Sequence, residues 1–104
     1  MNENERLYIS GPITGVIDYE KIFAKAESKL VNMGYNTINP APLYLVLPGN
    51  ASYEEYMSVD FHLIDMADAI CLLDGWEQSN GAKREYEYAV ARGKKIYRFK
   101  EIAS

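Results

Sequence analysis

Two acidic residues stand where helices normally carry apolar ones. In "SNGAKREYEYA" (Ser79–Ala89), Glu85 sits beside Ala82, Tyr86 and Ala89 at helical spacing, on or near the face that a helix buries. In the segment Ser52–Ala67, a rotation of ~100° per residue gathers Tyr53, Tyr56, Met57, Leu63, Ile64 and Ala67 into one stripe. Asp60 falls in the middle of that stripe, and His62 falls on the opposite, wet face. A carboxylate among apolar side chains is costly unless something pairs with it. One outcome is that both carboxylates cap loops or pair with Lys or Arg. The other is a pair of carboxyls in a pocket, which suits cleavage at an acetal-like carbon. One carboxyl then attacks or stabilises an oxocarbenium-like centre while the other handles protons. Asp65, Asp68 and Glu87 read as ordinary solvated or capping residues.

The elements that must position these residues follow from punctuation and periodicity. "RLYIS" (Arg6–Ser10) is a β-prone run that stops at Gly11-Pro12. A helix is predicted from an N-cap at Asp18 through Ile22, Phe23, Ala26, Leu30 and Met33, with Gly34 ending it. "YNTIN" (Tyr35–Asn39) is a second strand, and the Pro- and Gly-rich "PAPLYLVLPGNAS" a long loop. Ser52 with Glu55 forms a capping box that opens a helix running to about Met66 or Ala67. "AICLLD" (Ala69–Asp74) is a continuous apolar run, as in strands buried on both faces. A loop, a helix over Gly81–Arg92, the stop at Gly93 and a last strand "KIYRF" complete the chain.

Strands alternating with helices predict an α/β fold with a mostly parallel sheet of four to five strands, covered by helices on both sides. Ligands of such sheets bind outside the carboxyl ends of the strands, where the strand order reverses. That rule selects the loops Gly11–Ile17, Asn39–Ala51 and Asp74–Asn80. "SGPITG" is either a backbone phosphate cradle or simply a tight strand-to-helix connection, since Pro12 lacks an N–H. Trp76, the only tryptophan, either stacks on a nucleobase or covers the core or a subunit contact.

Composition narrows the classes. The 104 residues suit one domain spanning 1–104, with 48% hydrophobic and 25% charged residues. A net charge of −4 argues against a nucleic-acid polymer or an anionic membrane as partner. "MNENERLYIS" has no basic region followed by an apolar stretch, no apolar run reaches ~18 residues, and Cys71 is the single cysteine. A cytoplasmic protein is expected. One histidine and one cysteine make no case for structural zinc, and no metal or cofactor is called for.

"YISGPITG", the aspartate in "VDFHLIDMADAICLL" and "SNGAKREYEYAVARGKKI", in that order and spacing, resemble the nucleoside 2-deoxyribosyltransferase superfamily from Leu7 to Phe99. The nearest subgroup is the DUF4406 group of small bacterial and phage domains, and the order is also similar to that of the 2′-deoxynucleoside 5′-phosphate N-hydrolases. The resemblance implies a flavodoxin-like three-layer α/β/α sandwich, a homodimer or higher oligomer, and a small-molecule nucleoside or nucleotide as substrate. It implies cleavage of the N-glycosidic bond with Glu85 as nucleophile, Asp60 orienting it or handling protons at the base, and Tyr8 beside the nucleophile. Gly11, Ile13 and Thr14, with Ser10 in the same motif, match the loop that meets sugar or phosphate. Ser79, with Gly81 after it, matches the segment that contacts sugar or phosphate. Pro12 and Thr14 replace a serine and an arginine of the monophosphate hydrolases, and Lys83 and Arg84 replace small or aromatic residues. Trp76 in "GWEQSNGA" fits the DUF4406 group. An enzyme, a nucleotide-binding module without turnover, and an interaction protein that keeps only the fold are the three functional classes to separate.

Overall fold

The computed structural model describes residues 5–103. Strand β1 (Arg6–Ser10) leads to helix α1 (Tyr19–Asn32) and strand β2 (Asn36–Ile38). Helix α2 (Tyr53–Asp65) and strand β3 (Ala69–Leu72) follow, then helix α3 (Asn80–Ala91), strand β4 (Lys95–Arg98) and the single-turn helix α4 (Phe99–Ile102). The four strands form one sheet in the order β2-β1-β3-β4, and every pairing is parallel. This is the flavodoxin-like order through its first four strands. The chain leaves β1 toward β2 on one side and returns to β3 on the other, so the switch point lies between β1 and β3.

Alternation along β1 divides the core in two. Leu7 and Ile9 face one way and pack with Phe23, Ala26 and Leu30 of α1 and with Cys71. Tyr8 faces the other way and packs with Ile64 of α2, Ile70 and Leu72 of β3, and Ala89 of α3. The result is the three-layer sandwich, with α1 on one face and α2 and α3 on the other. All four residues of β3 are buried, as its unbroken apolar run requires. Burial pushes the Cys71 thiol up to about 12, so it is an inert core residue at neutral pH.

Several boundaries differ from the sequence expectation. Asp18 occupies the N-cap position of α1 but its side chain caps nothing. The long loop after β2 contains two turns of 3-10 helix (Ala41–Val46), entered at Pro40, whose fixed φ suits a helix start. Asn39 roots this segment: its Oδ1 accepts the N–H of Ala41 at 3.0 Å, and its Nδ2 donates to Glu27 of α1 at 3.1 Å. A 3-10 turn (Trp76–Gln78) fills the loop after β3. Helix α3 starts at Asn80, one residue early, because Ser79 caps it by accepting the N–H of Ala82 at 3.1 Å. Phe99 ends the strand run and turns back into α4, where it packs on the α1-side core. The capping box of α2 is formed as read from Ser52 and Glu55.

Among the described residues, no helix is long and apolar enough to cross a membrane.

Candidate active site

β1 carries Tyr8 and Ser10 on the same face, two residues apart, and α3 passes over both. Glu85 lies between two buried alanines of α3, Ala82 and Ala89, small enough to let the helix sit close to the sheet. Its carboxylate accepts from Ser10 Oγ at 2.6 Å and from Tyr8 Oη at 3.2 Å. Asp60 comes from the centre of the inward stripe of α2, with Met57 and Ile64 buried on either side. Asp60 and Glu85 are only 3% and 5% exposed, and their carboxyls lie within hydrogen-bonding range of one another. Tyr44, in the second turn of the 3-10 segment after β2, donates to both oxygens of Asp60, at 2.8 and 2.9 Å.

This decides between the two fates considered for inward carboxylates. Glu5, at the opposite end of the sheet, shows the structural solution: it is 2% exposed and held by Lys95 Nζ at 2.8 Å and Tyr97 Oη at 2.9 Å. Asp60 and Glu85 have no such partner. Among the described residues, no Lys or Arg forms an ion pair with either. Their buried charge is met by hydroxyl donors and by each other.

Two carboxyls this close repel one another when both are ionised. Burial raises Glu85 well above the usual carboxylate range, and the neighbouring Asp60 raises it further; the hydroxyls of Ser10 and Tyr8 pull the other way. Burial also raises Asp60, opposed by its hydrogen bonds to Glu85 and Tyr44. Both shifts make the pair hold a shared proton more readily than two isolated carboxyls would. Burial, then the nearby carboxyls, raise both phenols: Tyr8 by Glu85 and Asp60, Tyr44 by Asp60 and Glu85. Both remain O–H donors throughout the working pH range.

The carboxyls open into a cavity of about 1250 Å³. Its walls come from all three loops that the strand-order rule selects, together with the first turns of α2 and α3. Gly11, Ile13 and Thr14 form one side, and Ser79 and Gly81 another. Glycine at position 11 lets the chain pass Leu73, whose Cβ would lie 2.9 Å from any Cβ placed there. A cluster of tyrosines, Tyr19, Tyr44, Tyr53 and Tyr56, supplies an aromatic wall. Tyr44 and Tyr56 meet edge to face, with centroids 5.3 Å apart.

Of the residues singled out in the sequence, Tyr8, Ser10, Asp60 and Glu85 form the hydrogen-bonded centre, and Gly11, Ile13, Thr14, Ser79 and Gly81 line the cavity. Trp76 stands apart. It packs on Tyr86, with centroids 4.9 Å apart, over the α2–α3 side of the core, and it is not part of the cavity lining. Sequence reasoning passed over Tyr44, hidden in the apolar run "LYLVL". The available signal was a single phenol in a loop at the carboxyl edge. Arg84 also reaches the cavity, but it is engaged at 2.9 and 3.0 Å by the carboxylate of Glu54 and lies over the rings of Tyr53 and Phe61.

A family model described as "Domain of unknown function (DUF4406)" matches residues 5–98. No curated protein matches the sequence. Among solved structures, a 2-deoxyribosyltransferase from Bacillus psychrosaccharolyticus superposes with a TM-score of 0.70 at 20% identity, covering 89% of this chain and 70% of that one. At that identity the likeness is one of fold.

Proposed function

Because the chain belongs to the DUF4406 family, and shares its fold with a 2-deoxyribosyltransferase, we propose that it cleaves the N-glycosidic bond of a deoxynucleoside or nucleotide, passing the sugar to water or to another base. The observation that carries this reading is the buried, cation-free pair of Asp60 and Glu85 at the floor of the cavity.

In this mechanism the pair enters with one proton. As the bond between C1′ and the base nitrogen breaks, its electrons go to the base, and Asp60 delivers a proton to that base. That proton is the one the pair shared, and the ionised oxygen of Glu85 bonds to C1′ as an ester. Water or the nitrogen of a second base then attacks C1′ and gives a proton to Asp60, and the ester oxygen returns to Glu85 as carboxylate. The pair ends with the one proton it began with. Carboxyls this close leave no room for the intervening water of a one-step displacement, which spaces them ~6.5–9.5 Å apart, and fall nearer the ~5–5.5 Å of two-step pairs. Ser10 and Tyr8 aim Glu85, and the tyrosine wall offers faces for a base to stack on.

The charge lining the cavity favours an uncharged nucleoside over a 5′-monophosphate. Among the described lining residues Arg84 is the one cation, and Glu54 already neutralises it. Incubation with a panel of deoxynucleosides and their monophosphates, with and without a second base, followed by chromatography, tests both points. Free base from nucleosides is expected, with monophosphates poorer substrates. No base from any member of the panel contradicts the proposal and leaves a binding module that does not turn over.

The chain is further proposed to form a homodimer. Ile17, Leu45 and Val46 are 93%, 71% and 75% exposed, on the two loops that also supply Ile13, Thr14 and Tyr44 to the cavity. A second copy would relieve that exposure. Light scattering at micromolar concentration should give twice the chain mass; a monomer mass contradicts the idea.

A further inference from the structure

We propose that Tyr44 is a positioning residue that biases the shared proton of the Asp60–Glu85 pair away from Asp60. The geometry of the donors is uneven. Glu85 receives two hydroxyls from β1, one on each oxygen: Ser10 at 2.6 Å and Tyr8 at 3.2 Å. Asp60 receives the Tyr44 phenol, shared between its two oxygens at 2.8 and 2.9 Å, and Tyr8 also lies within reach of it. A phenol donated to both oxygens stabilises Asp60 as the anion and opposes the two hydroxyls that do the same for Glu85. The groups facing the pair are Tyr8 and Ser10 from β1 and Tyr44 from the 3-10 segment. Tyr56 of α2 packs against the Tyr44 ring, and Arg84 of α3 is occupied by Glu54.

The phenol is held from behind. Asn39 ties the start of its segment to Glu27 of α1 and to the N–H of Ala41, and Pro40 and Ala41 are buried. Thr37 adds a hydrogen bond to the same Glu27 at 2.9 Å. A rigid root three residues before Tyr44 is what a positioning role requires, since the phenol must stay centred on both oxygens of Asp60. The consequence is that Asp60 holds the shared proton loosely enough to pass it to a leaving base. That consequence rests on the glycosidic reading; the proton bias does not.

The test is a carboxyl-carbon NMR titration of ¹³C-labelled wild type, Tyr44→Phe and Ser10→Ala. Phenylalanine keeps the ring contacts and removes one hydroxyl. In Tyr44→Phe the step at Asp60 should move up by about one pH unit, the worth of a hydrogen bond to a charged group, and amplitude of the lower step should pass from Asp60 Cγ toward Glu85 Cδ. In Ser10→Ala the amplitude should pass the other way, because Ser10 donates to Glu85. Unchanged step and amplitude in Tyr44→Phe would overturn the proposal, as would the same transfer in both variants. Alongside, kcat of Tyr44→Phe should fall about tenfold with its acid limb moved to higher pH and KM little changed. If the wild type releases no base, the glycosidic reading fails, and the NMR titration still decides the role of Tyr44.

Discussion

Glu85→Gln should abolish base release while leaving a more stable protein. Glutamine is the closest mimic of the protonated carboxyl. Its amide nitrogen can donate to Asp60 as the acid proton does, and its oxygen can still accept from Ser10 and Tyr8, which now bond to Glu85. Fold and pocket shape are therefore kept, and nucleoside binding with them. What is lost is the oxygen that bonds to C1′, so turnover should fall by about 10⁴-fold or more. Stability should change in the opposite direction, and the sign follows from linkage. Burial raises Glu85 above its unfolded value, so the folded chain holds a proton that the unfolded chain releases. Stability from such a group is fully present below the unfolded value, about pH 4.3, and is lost as pH rises toward the folded value, at about 1.4 kcal/mol per pH unit. Glutamine carries no such penalty. The melting temperature of the variant minus that of the wild type should widen steadily above about pH 4.3. A flat difference would mean that Glu85 titrates normally.

Asp60→Asn should be the second most damaging change, lowering kcat by about 10²–10⁴-fold, the range expected for loss of a proton donor to a leaving group. The nucleophile survives this change. With no carboxyl beside it, one of the causes that raise Glu85 is gone, and it ionises more readily. The deficit should therefore depend on the base. Nucleosides whose base departs easily without protonation should lose least, and those needing a full proton should lose most. Steady-state kinetics across a leaving-group series reads this directly. An equal loss for every base would leave Asp60 a structural role only. The amide oxygen of the substituted side chain can still accept from Tyr44, which now donates to both Asp60 oxygens, so its position should hold.

The inward turn of both carboxylates was legible because helices impose a strict rotation per residue. Asp60 had to lie between Tyr56 and Ile64 once the cap at Ser52 fixed the register, and Glu85 had to flank Ala82 and Ala89 on helical spacing alone. Strand alternation likewise put Tyr8 and Ser10 on one face, and the alternation of strands and helices called for the parallel sheet that was found. Legibility ended where periodicity ends. The segment Ala41–Val46 forms a short 3-10 helix that leaves Leu45 and Val46 exposed, so its apolar letters do not report burial. What ties Tyr44 to the site is its three-dimensional proximity to a helix residue 16 positions away in the chain. Trp76 invited a stacking role by type alone, yet its ring completes the packing over Tyr86. A tryptophan's large apolar area serves a core edge as readily as a ligand.

Two-step displacement at C1′ through Glu85 is tested most directly by the anomeric configuration of the glycoside formed when the wild type acts on a β-deoxynucleoside in dilute methanol, followed by proton NMR. Two displacements on the same carbon predict the methyl β-glycoside, with methanol on the face the base left. The methyl α-glycoside would contradict the claim, because the acceptor would then have displaced the base in one step, with Glu85 acting as a base.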